Sequence, residues 1–220
     1  MLRLNLHLAL DEQTTRFCLR VNADIRRITH SAIVFSETSP MIPHITLVMG
    51  DCLPSRTLDA LSKATQTLVE KVEPLTLKLE QPHISPLKGR FVLCNIQEDA
   101  ALTSLRTLMR ESLLGTYLRP PYPCPPPPHA TLAHIYHRQE KVRAYLTSIA
   151  EPPQVLCSHI EISQAGPLGT CIGRLSAFRL QERGARVTPA KTSSPLWMAR
   201  QSHRGDEGLQ TIRSEWSSYR

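Results

Sequence analysis

The first ten residues alternate. Leu2, Leu4, Leu6, Leu8 and Leu10 are separated by polar or small residues, and a period of two puts all five on one face of a strand. A signal peptide needs a continuous apolar stretch, so this segment predicts a strand and not a leader. Asp11 then offers a helix N-cap, and Phe17, Val21, Ile25 and Ile28 follow at helical spacing. A short strand is predicted from Ala32 to Phe35, and a turn at Ser39-Pro40 leads into the apolar run Leu47-Val48-Met49. Pro54 opens a second helix with Leu58, Leu61, Leu68 and Val72 along one side. Leu75, Leu77 and Leu79 then alternate as a strand that stops before Pro82.

The same order returns in the second half. Phe91 to Ile96 reads as a strand with Gly89 at its entrance. Glu98 to Leu114 reads as a helix, with Leu102, Leu105 and Leu108 aligned and Gly115 as its stop. A strand running into Leu132-Ala133 follows, then a helix from about Arg138 to Ile149 and a strand around His159 to Ser163. Cys171 to Leu180 adds a closing strand. The pattern predicts an α+β domain of two duplicated β-α-β-α-β lobes, with mainly antiparallel sheets lining a central cleft.

Composition narrows the class. A chain of 220 residues that is 41% apolar can build a core without a disulfide scaffold. Its six cysteines lie far apart with no Cys-x-x-Cys pair, so buried thiols are expected in place of a zinc site. No stretch approaches the ~20 apolar residues of a membrane helix, and a soluble, cytoplasmic monomer is expected. The net charge of +7 is mostly a property of the tail. Residues 183–220 hold seven Arg or Lys against three Asp or Glu, which leaves 19 basic and 16 acidic residues in 1–182. The division predicted is a catalytic domain over 1–182 and a basic, disordered tail over 183–220. The tail carries both tryptophans, Trp197 and Trp216, near Arg200 and Arg213, a pairing able to stack on single-stranded RNA.

One pentapeptide occurs twice at matching places in the two halves: Pro43-His44-Ile45-Thr46-Leu47 and Pro128-His129-Ala130-Thr131-Leu132. Each copy follows a proline-bearing loop and starts a strand. The second loop holds seven prolines between Pro120 and Pro128, a stiff lead-in to His129. On a strand His44 and Thr46 share one face, as do His129 and Thr131, while Ile45, Leu47, Ala130 and Leu132 turn to the core. Two such strands would line a cleft with two imidazoles and two hydroxyls, groups suited to phosphate chemistry. A third near-match, Pro82-His83-Ile84-Ser85, runs into Pro86 and is expected to be a loop outside the repeat. His7, His134, His137 and His159 are expected to be structural, with His134 and His137 as rim candidates because they follow the second motif. No His-Glu-x-x-His helix or aspartate cluster accompanies the motifs, so neither metal nor cofactor is expected.

The paired His-x-Thr motifs resemble those of the two-histidine (2H) phosphoesterases, which include RNA 2',3'-cyclic phosphodiesterases and 2'-5' RNA ligase-like proteins. The resemblance covers residues 1 to about 182, including the closing stretch Ile160-Glu161-Ile162 to Leu180. It implies a metal-independent phosphodiesterase acting on RNA ends or small nucleotides. His44 and His129 would be catalytic, and Thr46 and Thr131 would bind the phosphate. A 2',5'-phosphodiesterase or ligase-like activity, or a phosphate-binding module without turnover, are the alternatives. Many members carry a basic residue, often Arg, three positions past the second threonine, where this sequence has His134.

Overall fold

Leu4, Leu6 and Leu8 are fully buried, and the strand they define, β1 (Arg3–Ala9), lies in the interior of a sheet. The structure, a computed structural model, describes residues 2–36, 38–86, 89–121 and 126–181. The tail expected over 183–220 and the middle of the proline-rich loop, 122–125, lie outside the described residues. After β1 come α1 (Glu12–Ile28), β2 (His44–Cys52), α2 (Leu58–Val69), β3 (Leu75–Lys78) and β4 (His83–Ile84). The second half runs β5 (Phe91–Asn95), α3 (Ala100–Leu113), β6 (Leu118–Arg119), β7 (His129–His134), α4 (Gln139–Ser148), β8 (Gln154–Cys157), β9 (His159–Ala165) and β10 (Cys171–Arg179). The fold is α+β and two-lobed, as the periodicity predicts.

The main sheet has the order β10-β9-β1-β2-β7-β5-β4, with β6 added to β2, and its strand pairs are antiparallel. The duplication shows in this order. β1 and β2 of the first half mirror β5 and β7 of the second about the β2–β7 junction. The last strand of each half crosses over: β4 extends the second lobe and β9 the first. β3 and β8 pair with each other in a separate two-stranded sheet. The helices exchange too, α1 packing against β7 and α3 against β2.

The local signals hold with corrections. Asp11 caps α1, its carboxylate accepting from the Thr14 N–H at 2.7 Å, and Phe17, Val21 and Ile25 are buried. α2 begins not at Pro54 but after Thr57, whose hydroxyl accepts from the Ala60 N–H; Val72 lies beyond its end. On α3 the buried row is Leu102, Leu105, Met109 and Leu113, and Leu108 is exposed, because the stripe steps by four from Leu105. Gly115, at φ +80°, follows the C-cap as expected.

Three further corrections concern topology. Residues 32–35 are not a strand. The buried side chain of Asn22 on α1 satisfies their backbone instead, donating to Ile33 O at 3.0 Å and accepting from Phe35 N at 3.0 Å. The strand that closes the second repeat is β8, the mate of β3, and β9 is the crossing strand. His83, expected in a loop outside the repeat, stands on β4, a two-residue edge strand paired with Val92 and Leu93 and occupying the place that β9 takes in the first lobe. Pro86 explains why that strand is so short.

Candidate active site

β2 and β7 meet at a single pair, Ile45 opposite Ala130, both fully buried. That register sets His44 across from Thr131 and Thr46 across from His129, all four half-buried on the face away from the core. Beyond this pair the strands part, and the far end of β2 takes β6 as its neighbour instead.

Each motif strand also bulges just after its threonine. Thr46 pairs with His7 and Val48 with Leu6, which leaves Leu47 without a partner residue on β1. Thr131 pairs with Leu93 and Ala133 with Val92, which leaves Leu132 in the same position. The consecutive apolar residues Leu47-Val48 and Leu132-Ala133 are accordingly both buried. The carbonyl freed at Leu132 accepts from Asn22 Nδ2 at 2.8 Å, so α1 is pinned to the second motif strand.

The two histidines are held alike. His44 Nδ1 lies 2.8 Å from Ile42 O, and His129 Nδ1 lies 2.7 Å from Pro127 O, in each case the carbonyl two residues upstream. A carbonyl only accepts, so both Nδ1 atoms carry hydrogen and each neutral ring keeps its lone pair on Nε2. Around His44, burial pushes the imidazole down to about 4; the Ile42 carbonyl opposes that, the charge of His129 adds to it, and the Gly169 carbonyl opposes it least. His44 is therefore neutral at neutral pH.

Sequence reasoning missed the floor beneath the first motif. Asn5 and His7, polar residues of β1 that alternate with the buried leucines, are themselves fully buried between β2 and β9. Asn5 Nδ2 donates to Thr46 Oγ1 at 3.0 Å and lies 3.2 Å from His44 Nε2. The His7 ring stands 4.9 Å from that of His44, and its Nε2 lies 2.9 Å from Ser163 Oγ. Burial holds His7 well below its usual range, so its 3.9 Å approach to Glu161 is a polar contact and not a charged pair. Arg174 pairs with Glu161 at 3.1 Å. The only signal of this floor in the sequence is two polar residues inside a leucine run, and it becomes legible once β1 is known to be interior.

Other candidates fall elsewhere. His134 is buried and packs edge-on against Phe91 and Tyr136, with ring centroids 4.6 and 5.0 Å apart. His83 pairs with Leu93, two strands from the β7 motif. A cavity of about 490 Å³ lined by Glu12, Arg16, Phe17 and Arg20 is built on α1, away from both motifs. The described residues bring together no group of three His, Cys, Asp or Glu able to hold a metal ion.

Known proteins place the chain. Residues 21–166, well over half of it, match the family model of the 2'-5' RNA ligase superfamily. The chain belongs to that superfamily of 2H phosphoesterases. No curated protein sequence matches. Among solved structures the superfamily fold is shared with TT0787 of Thermus thermophilus, at 20% identity and a TM-score of 0.57 over 81% of this chain and 97% of that one. E. coli LigT complexed with 3'-AMP matches at 17% identity and a TM-score of 0.61, over 82% of this chain and 99% of that one. A crystal structure described as a phosphoesterase matches at 17% and 0.56, over 83% of this chain and all of the other. Within this superfamily member, no helix among the described residues is long and apolar enough to cross a membrane.

Proposed function

We propose that this 2H phosphoesterase superfamily member is a metal-independent phosphodiesterase that hydrolyses 2',3'-cyclic phosphate ends of RNA or small nucleotides. Membership supports a 2H phosphoesterase type of activity in general. The specific reading rests on one observation. Two imidazoles stand on adjacent strands, each fixed through Nδ1 and each with a threonine two residues on.

In this reading His44, neutral, accepts the proton of the attacking water on Nε2. The resulting hydroxide forms a new P–O bond as the bond to one ribose oxygen breaks. His129, protonated, donates from Nε2 to that departing oxygen. Thr46 and Thr131 donate hydrogen bonds to the non-bridging oxygens, whose charge grows in the transition state. The nucleotide in the LigT complex, 3'-AMP, belongs to the product class such a hydrolysis would release. The same reading takes 1–182 as the catalytic domain, leaves the tail out of the chemistry, and puts the protein in the cytoplasm as a monomer.

The test is incubation with three substrates: an RNA with a 2',3'-cyclic end, ADP-ribose 1″,2″-cyclic phosphate, and a 2',5'-linked oligonucleotide. Opening of the first is expected. Turnover of only the third would make the protein a 2',5'-phosphodiesterase, and binding without turnover of any would make it a phosphate-binding module.

A further inference from the structure

The two motifs match, yet what supports them does not. By the mirrored strand order, the residues of β1 that face the first motif, Asn5 and His7, correspond to Phe91 and Leu93 of β5 behind the second. Where the first motif has the Asn5 amide, the mirrored place behind the second holds the Phe91 ring. We propose that Asn5 is a positioning residue of the first motif, aiming the Thr46 hydroxyl at the phosphate and holding the reactive nitrogen of His44; this rests on the reading of those residues given above.

The geometry carries the assignment. Asn5 Nδ2 has two hydrogens and two acceptors in reach, Thr46 Oγ1 at 3.0 Å and His44 Nε2 at 3.2 Å. A threonine oxygen that accepts from the amide keeps its own hydrogen to donate, and the open direction is the cleft. The amide at Nε2 favours the neutral ring, and because that nitrogen has one lone pair, the attacking water takes the amide's place there while Nδ2 keeps its bond to Thr46. Asn5 cannot swing away, being wholly buried on an interior strand. Its Oδ1 is buried with no hydrogen-bond partner among the described residues. A buried amide with an orphaned oxygen works against folding, so stability does not account for it. The other titratable groups around His44 are His7 on β1, His129 on β7, and, behind His7, Glu161 on β9 and Arg174 on β10. None of them takes the place of the amide at Nε2.

The test uses the full chain with Asn5→Asp, which keeps the shape, and Asn5→Ser, which is smaller and cannot overpack. NMR titration of the His44 ring reads the contact directly, and kcat and KM for cytidine 2',3'-cyclic phosphate read its use. With Asp, the carboxylate stabilises the imidazolium, and the His44 midpoint should rise by about one pH unit or more. Asp also accepts from Thr46 and turns that hydroxyl away from substrate, so kcat should fall roughly ten- to a hundred-fold with KM within a few-fold. With Ser the midpoint should rise less and kcat should fall about tenfold. An unmoved His44 midpoint in folded Asn5→Asp, or parental kcat in Asn5→Ser, overturns the assignment. Should the parent protein turn over no phosphodiester, the proposed function fails, while the titration still decides the Asn5–His44 link.

Discussion

Ile45 pairs with Ala130, and this one backbone pair joins the motif strands of the two lobes. Everything proposed for the cleft depends on it. A slip of one residue would turn His44 and Thr46 into the core and bring Ile45 to the phosphate side. The bulges at Leu47 and Leu132 protect the register, because each lets two consecutive apolar residues stay buried past the motif.

Acid should destabilise the protein before its carboxylates titrate. His44 and His7 are both held below the unfolded value near 6.5, so the unfolded chain takes up their protons first. Their contribution is complete above pH ~6.5 and is lost as pH falls toward the folded value. For His44, with a folded value of about 4, linkage gives about 3 kcal/mol. Urea melts from pH 7 to pH 4 should show this slope, and His44→Gln should flatten it. An equal slope in the variant would show that His44 is not buried in its neutral form.

Asn22 is expected to matter more than its distance from the chemistry suggests. Its side chain serves Ile33 O, Leu132 O and Phe35 N, three backbone groups in two segments. Asn22→Leu removes the partner of Leu132 O and Phe35 N, while Ile33 O still accepts from Ser31 Oγ, and should cost at least about 2 kcal/mol. A variant as stable as the parent in chemical denaturation would contradict this.

The histidines and threonines should separate by magnitude. Thr46→Ala and Thr131→Ala each remove a hydrogen bond to a charged group, which corresponds to a roughly ten- to hundred-fold loss of kcat. His83→Ala should stay within a few-fold of the parent, since β4 lies two strands, roughly 10 Å, from β7. Steady-state kinetics on a mononucleotide 2',3'-cyclic phosphate measure both. His83→Ala as damaging as a motif substitution would move the site toward the second lobe's edge.

Truncation near residue 182 should leave small-substrate turnover intact, because both motifs lie before it. Affinity for longer RNA should fall and become less salt-dependent if the tail arginines contact phosphate. Loss of mononucleotide turnover in a folded truncation would assign the tail a part in the site.

The halves, the two motif strands and α1 with its Asp11 cap are legible because each is written in local periodicity or capping chemistry. Leu4-Leu6-Leu8 and Asp11 need no tertiary knowledge. What depends on sheet order is not legible. His83 reads as a loop residue because Pro86 follows it, yet β5 recruits two residues of that segment as an edge strand. Residues 32–35 read as a strand, but a helix side chain takes the bonds that a strand partner would have made. Asn5 and His7 read only as the polar alternates of a leucine strand, and their burial follows from a sheet order that sets β1 between β2 and β9 from the far end of the chain. The bulges have a local trace, the apolar pair after each threonine.

The most direct test of the central claim is hydrolysis of a mononucleotide 2',3'-cyclic phosphate, with EDTA present, by the parent, His44→Ala, His129→Ala and the double variant. The parent should turn over with chelator. Its kcat/KM profile should be bell-shaped, the acid limb falling as His44 takes a proton, well below pH 6.5. Each single substitution should lower kcat by ~10²–10⁴-fold. The double variant should be little worse than the worse single, since the two act as one unit. Activity abolished by EDTA and restored by a divalent ion, or a folded His44→Ala with parental kcat, would contradict the two-histidine account.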